Sequence, residues 1–357
     1  MQPPPPQPLR RLRTRSARPA VGSALAARAQ TSTVRNVVVL AGGVGGARFV
    51  LGMRAALRRA GRRDTAEALT VVVNTGDDLW LSGVRLQPDV DSITYALAGV
   101  NDPERGWGRA RETERANREL QDWGAGWPWF TLGDLDLGTH LARTGWLREG
   151  LSVSQVMARM AERWPLGARL LPMTDAEVDT IVTVASPSGF AEQMHFQEWW
   201  TRYRGGLTPL RFDNPGIDSA APAPGVLEAI AAADRVVIAP SNPVVSIGPI
   251  LSVPGMRDAL LAARSVVGVS PIIDGRVVRG MADVCLAAIG VQTSAAAVAA
   301  HYGARADGGV LDHWFVDDSD RGEATALRAT GIGYTARPLW MTDPNASADL
   351  AAATLQV

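Results

Sequence analysis

Four glycines in five residues, Gly42-Gly43-Val44-Gly45-Gly46, directly follow a short β-branched run that starts at Val34 and closes on Val37-Val38-Val39-Leu40. Helical spacing comes next, from Phe49 to Arg59, with Leu51, Ala55, Ala56 and Leu57 toward a core. A second strand, Leu69 to Val73, ends at Asn74-Thr75-Gly76-Asp77-Asp78. Strand, glycine turn, helix and strand open a doubly wound parallel sheet, a fold in which ligands gather at the carboxyl ends of the strands.

The rest of the chain continues the alternation. Apolar residues three or four apart predict helices at Asp91 to Leu97, Glu112 to Trp123, Gly138 to Trp146 and Val153 to Trp164, making residues 91–164 a helical insertion. Strands are expected at Thr180 to Val184, Arg235 to Ala239, Val266 to Ser270 and Trp314 to Val316, with helices at Val226 to Ala233, Arg257 to Ala262, Ala282 to Ala288 and Ser294 to His301. A last strand and helix run to Leu355. A parallel sheet is the economical reading, giving an α/β chain whose sheet is mostly parallel. Residues 1–33 stand apart, with prolines at Pro3 to Pro6 and arginines from Arg10 to Arg28 but no acidic group, and read as a disordered tail ahead of one domain over 34–357.

Charge narrows the partners. Lys plus Arg total 36 and Asp plus Glu total 36, so no overall field attracts nucleic acid or an anionic membrane, and any anionic ligand must be held by local groups. The one cysteine, Cys285, excludes an intrachain disulfide framework and fits a reducing cytoplasm. No uninterrupted apolar run is long enough to cross a bilayer.

Three polar segments follow strands. In the glycine cluster, Gly42, Gly43, Gly45 and Gly46 let backbone amides approach an anion at a helix N-terminus, and Arg48 adds a charge; the alternative is a tight turn serving backbone geometry alone. The cluster lacks the Lys-Ser/Thr of a P-loop, and Arg48 stands where a dinucleotide fingerprint needs Gly or Ala. Asp77 and Asp78 after the second strand, with Asp89 and Asp91 in Pro88-Asp89-Val90-Asp91-Ser92, suit a divalent cation bridging phosphate oxygens. Singly, each aspartate is more often structural, Asp91 as a helix N-cap. In the third segment, Pro240 to Ile250, Ser241, Asn242 and Ser246 offer hydroxyl and amide groups on a proline-stiffened loop. His140 and His195 stand too far from other His or Cys for a zinc signature.

Taken in order, seven stretches resemble one family, the 2-phospho-L-lactate transferases of coenzyme F-420 biosynthesis, and within it the actinobacterial phosphoenolpyruvate transferase branch. They are Ala41 to Phe49, Val73 to Asp78, Pro88 to Asp91, Asp102-Pro103-Glu104-Arg105-Gly106-Trp107-Gly108, His195-Phe196-Gln197-Glu198-Trp199-Trp200, Pro240 to Ile250, and Ser270 to Ile273. The resemblance implies a Rossmann-like core with helices on both faces and a helical insertion, usually homodimeric. It also implies a guanosine-diphosphate-linked three-carbon acid as donor, the deazaflavin alcohol Fo as acceptor, and a divalent cation, taken as Mg2+. Asp77 and Asp91 match the cation-holding aspartates, and Asp91 also lies where Fo approaches. The glycine cluster and the Ser241 to Gly248 loop match phosphate-binding segments; Asn74, Asp78, Asp134, His195 and Gln197 are assigned to substrate contact. Leu135 stands where the family commonly has Arg, and Arg279 to Asp283 follows the actinobacterial wording, favouring an enolpyruvyl over a lactyl donor.

Two other functions fit the opening of the fold. A nicotinamide-dependent oxidoreductase predicts an acidic ribose-binding residue ending the second strand, where Asn74 stands instead. A non-catalytic nucleotide-binding regulator shares the fold but releases no GMP. The transferase reading requires the strand tips bearing Gly45, Asp77 and Ser246 to converge on one pocket.

Overall fold

In the computed structural model, which describes residues 34–185 and 189–357, fourteen strands form four sheets. The segment expected to be a disordered tail lies outside the described residues. In chain order the strands are β1 (Val37–Ala41), β2 (Leu69–Val73), β3 (Leu79–Leu81), β4 (Val84–Leu86), β5 (Arg169–Pro172), β6 (Ile181–Ala185), β7 (Ala191–His195), β8 (Pro209–Asp213), β9 (Arg235–Ile238), β10 (Val266–Val269), β11 (Ile272–Ile273), β12 (Arg276–Val277), β13 (His313–Val316) and β14 (Gly333–Ala336). The main sheet has seven strands, all parallel, in the order β14-β13-β10-β9-β1-β2-β5.

Period-two alternation puts apolar side chains on both faces of that sheet. Val38, Leu40, Val72, Val236 and Ile238 enter one buried cluster with Val226, Ile230, Met256, Leu260 and Val298 from helices. Val37, Val39, Ala41, Val71, Val73 and Val237 enter the other, against Phe49, Val50, Met53 and Leu57 of α1 (Gly43–Arg59). Strands buried on both faces read as continuous Val and Ile runs, which is why β1, β2, β9 and β10 are evident in the sequence.

The chain leaves β1 for β2 on one side and returns to β9 on the other, so the order reverses between β1 and β9. Ligand sites in such sheets form at the carboxyl ends of the strands flanking this reversal. The pairings Ala41 with Val73 and Leu40 with Ile238 bring the ends of β2, β1 and β9 level.

Several expectations need correction. The glycine cluster is the first turn of α1, not a loop before it, and only Gly43 has a positive φ, +65°. The helix carrying Asp91 is α2 (Pro88–Ala98), so Asp91 is inside the first turn and Gln87 is the cap residue. The strand expected at Thr180 to Val184 is not in the parallel sheet; as β6 it pairs antiparallel with β7 and β8 in a separate sheet. The connection from β2 to its neighbour β5 holds the β3–β4 hairpin, α2, α3 (Arg115–Asp122), α4 (Asp134–Arg148) and α5 (Val153–Ala161). Leu79, Leu81, Val84, Leu86 and Leu132, with Trp127 and Phe130, give this insertion a small core of its own.

Candidate functional site

The tips of β1, β2 and β9 meet at one cavity of about 1190 Å³, lined by Gly42, Gly43, Gly45, Arg48, Asp77, Asp91, Gln197, Ser241, Asn242 and Ser246 among others. The three segments are locked together by polar side chains. Ser241 Oγ accepts from the Gly42 amide at 3.1 Å and donates to the Gly42 carbonyl at 2.7 Å. Asp89 accepts from the Gly43 amide at 2.6 Å and from Asn74 Nδ2 at 2.9 Å, and Asn74 Nδ2 also reaches the Val245 carbonyl at 3.2 Å. One carboxylate and one amide thereby tie the ends of all three strands.

Close approach explains three of the glycines. A Cβ on Gly42 would stand 2.2 Å from Asp89 Oδ2, one on Gly45 2.7 Å from the Pro240 carbonyl oxygen, and one on Gly46 2.6 Å from Ser241 Oγ. These residues are glycine because neighbouring loops press against them, a geometric role, while Val44 and Gly45 present the start of α1 to the cavity. A helix leaves its first amides without internal partners, and its N-terminus carries partial positive charge. Arg48, exposed on the same helix, adds a full charge beside it.

Carboxylates make up the second element. Burial, then the negative charges of Asp89 and Asp78, hold Asp77 well above the ordinary carboxylate range. Burial also raises Asp89, to about 6, although Asn74, Gly43 and Ser246 donate hydrogen bonds to it. Asp77 has Gln197 Nε2 as a donor at 3.2 Å, and no arginine forms an ion pair with it among the described residues. A buried carboxylate repelled by two other carboxylates has the chemistry that a hard cation relieves. Asp91 lies elsewhere on the cavity wall, where its Oδ1 accepts from Arg143 and its Oδ2 is buried without a hydrogen-bond partner. Ligand atoms of Asp91, Asp136 and His140 lie within 4.8 Å of one another, close enough to share a divalent cation.

Other expected residues support the wall without lining it. Asn74 is buried beneath the cavity and spends its side chain on Asp89, Val245 and the Gly76 amide. Asp78 is raised well above the carboxylate range by burial even though Arg85 lies near, and it accepts from Gln87 Nε2 at 2.6 Å. His195 Nδ1 accepts from the Gln197 amide at 3.0 Å, so its Nε2 donates to the Asp78 carbonyl, also at 3.0 Å. Asn242, unlike these, is on the wall itself, and its Oδ1 caps the π-helical turn Pro243–Ile247 through the Val244 and Val245 amides. Gly46 and Gly248 are off the wall, Gly248 opening the next short helix.

Asp134 is the clearest departure. It stands at the start of α4, accepts from the Thr113 hydroxyl and from the Ala116 amide at 3.0 Å, and does not reach the cavity. Asp136 does, because residues two apart on a helix face different ways. Burial alone would raise Asp136, but hydrogen bonds from His140 and Tyr95 bring it below the ordinary range. Asp136, His140 and Arg143 follow i, i+4, i+7 spacing, which puts all three on one face of α4. Trp107, Trp129, Phe130, Phe196, Trp200 and Trp340 also line the cavity, together with aliphatic side chains and with Arg204 and Arg279. Aromatic rings in one cavity with carboxylates, amides and arginines suit a ligand that is part flat ring system and part anion.

Fold and site together define a doubly wound α/β protein with a cavity at its switch point lined by carboxylates, amides and aromatic rings. The family model described as 2-phospho-L-lactate transferase CofD matches residues 37–335, and the chain belongs to that family and is a transferase. It is similar to the phosphoenolpyruvate transferase of Thermobifida fusca, 50% identical over 322 residues covering 90% of this chain and 97% of that one. The protein of the same name from Mycobacterium avium is 48% identical over 335 residues, covering 90% and 98%. Among solved structures, the Bacillus halodurans protein BH3568 shares the fold, with a TM-score of 0.58 at 20% identity over 90% of this chain and 99% of that one.

Proposed function

We propose that this transferase of coenzyme F-420 biosynthesis moves a phosphoenolpyruvyl group from a guanosine-diphosphate-linked donor to the terminal ribityl hydroxyl of the deazaflavin alcohol Fo. The hydroxyl oxygen bonds to the phosphorus carrying the three-carbon acid, the bond from that phosphorus to the bridging oxygen breaks, and GMP leaves. The observation carrying this reading is that a helix N-terminus, a buried carboxylate pair and an aromatic wall share one cavity at the tips of β9, β1 and β2.

Phosphoryl transfer needs positioning and charge neutralisation more than covalent catalysis. Asp77 and Asp91 would hold a magnesium ion, with Asp89 beside Asp77. That ion would neutralise charge on the transferred group and the leaving group. The start of α1, Arg48, and the loop of Ser241, Asn242 and Ser246 serve the diphosphate; a cavity carboxylate beside the attacking hydroxyl accepts its proton. Trp107, Trp129 and Phe130 offer faces for the deazaflavin. By the same resemblance the working form is a homodimer in the reducing cytoplasm.

The test is to give purified protein Fo and magnesium with the enolpyruvyl and lactyl guanosine diphosphates in parallel, resolving products by mass. Fo-dependent GMP release with the enolpyruvyl donor preferred is expected; donor consumption without Fo, or none at all, would refute the reading. Asp91→Ala should abolish turnover with the fold intact.

A further inference from the structure

Behind the carboxylate end of the cavity lies one side chain that never reaches it. Arg143 is in the second half of α4 with its side chain fully buried, a condition arginine tolerates only when paired. Its Nη2 donates to Asp91 Oδ1, while Nη1 donates to the Arg85 carbonyl at 3.2 Å and to His140 Nδ1 at 3.1 Å. That last bond settles the imidazole: Nδ1 is the acceptor, so the ring proton is on Nε2, which faces Asp136 Oδ2 at 3.5 Å. Asp136 in turn accepts from the Tyr95 hydroxyl at 2.6 Å. His140 Nδ1 stands 3.6 Å from Asp91 Oδ2 but has no proton to offer it, and Oδ2 remains buried without a partner. Asp91, Tyr95, Asp136 and His140 line the cavity; Arg143 does not.

We propose that Arg143 is a positioning residue for the transfer. By gripping Asp91 Oδ1 and His140 Nδ1 together, it leaves Oδ2 as the single atom through which Asp91 acts and fixes its direction. A carboxylate with both oxygens free turns about its last bond; pinning one oxygen with a buried, charge-assisted N–H whose guanidinium is itself fixed through Nη1 restrains that turn. Reacting groups displaced by about 1 Å lose on the order of 100-fold in rate, so this restraint acts on the chemical step. The helical insertion is thereby part of the active site, through a residue that touches no substrate. This inference rests on the reading of the cavity as a site of transfer to an alcohol.

The competing role is a buried pair that only ties α4 to α2. To separate the two, Arg143→Met and Arg143→Lys are compared with wild type for melting temperature, for KM of both substrates and for kcat. Arg143→Met is expected to lower kcat by about 100-fold while both KM values stay within about threefold. Arg143→Lys should fall between, because one ammonium reaches Oδ1 but cannot hold two partners. The double variant Asp91→Asn with Arg143→Met should be no slower than Asp91→Asn alone, since residues acting as a unit do not add. A folded Arg143→Met with kcat near wild type, or losses that multiply in the double variant, would overturn the proposal. Should Arg143→Met fail to fold, Arg143→Lys alone and combined with Asp91→Asn decides by the same criteria. Wild-type protein that transfers nothing to Fo would sink the reading of the site, and this inference with it.

Discussion

Asp77 and Asp89 are costly to bury together, and that cost raises the pKa of both carboxyls. Both are raised from an ordinary value of 3.8, Asp89 to about 6 and Asp77 well above the usual range, chiefly by burial. A carboxyl whose pKa is higher folded than unfolded binds more protons in the folded state, so its contribution to stability is full below 3.8 and is lost as pH rises through the folded value. Metal-free protein should therefore lose melting temperature as pH rises from about 4 through about 6, and Asp89→Asn should lose less of it. Magnesium, which needs ionised ligands, should raise the melting temperature more at the higher pH; a larger rise at the lower pH would contradict the assignment. Asp77→Asn keeps the shape and removes the repelled charge. It should melt at or above the wild-type temperature in chelator yet turn over at least about 100-fold more slowly, a trade of activity against stability common at functional sites. Thermal melts and steady-state rates on one preparation check both halves.

Secondary-structure elements deliver these residues through their ends. β9, β1 and β2 stop level with one another, and α1 starts so close to the next strand's loop that a Cβ on Gly45 would lie 2.7 Å from the Pro240 carbonyl oxygen. Backbone on both sides of that contact cannot swing away, so Gly45→Ala should cost about 1–3 kcal/mol and weaken donor binding. Chemical denaturation and a donor titration measure the two effects; an alanine variant with wild-type stability would show that the loops have slack. The same elements show where sequence patterns stop being informative. Val-rich β1, β2, β9 and β10 are evident because both faces are buried. β5, Arg169-Leu170-Leu171-Pro172, lacks β-branched residues and ends in proline, and β7, Ala191 to His195, has no β-branched residue and is polar except for Ala191 and Met194; tertiary pairing, not local preference, makes them strands. β6 has the apolar alternation of a core strand, yet nothing in that alternation says which sheet it joins.

The molecule as a whole sets what the cavity can hold. At about 1190 Å³ it exceeds the roughly 300–1,000 Å³ of small-ligand pockets, room for a nucleotide-linked donor and a tricyclic acceptor together. No single helix among the described residues is long and apolar enough to cross a membrane, and the one apolar helix pair that could, Pro243–Ser252 with Met256–Ala262, is bent by 85°. Light scattering of the purified protein should report twice the 37.9 kDa chain mass if the proposed homodimer forms, and a single chain mass would remove it. The amino-acid sequence by itself determined the parallel core and the three loops that end its central strands, because hydrophobic period and glycine placement are local properties of the chain. It also marked Asp77 and Ser246 as members of those loops, and Asp91 as a residue at the start of a helix. Only the tertiary structure decided that Asp136 faces the cavity and Asp134 does not, that Asp89 is a tie among three loops, and that Arg143 stands behind Asp91. Those facts depend on which face of an inserted helix meets a strand tip many residues away, and that is fixed by packing across the fold, where residue spacing carries no information.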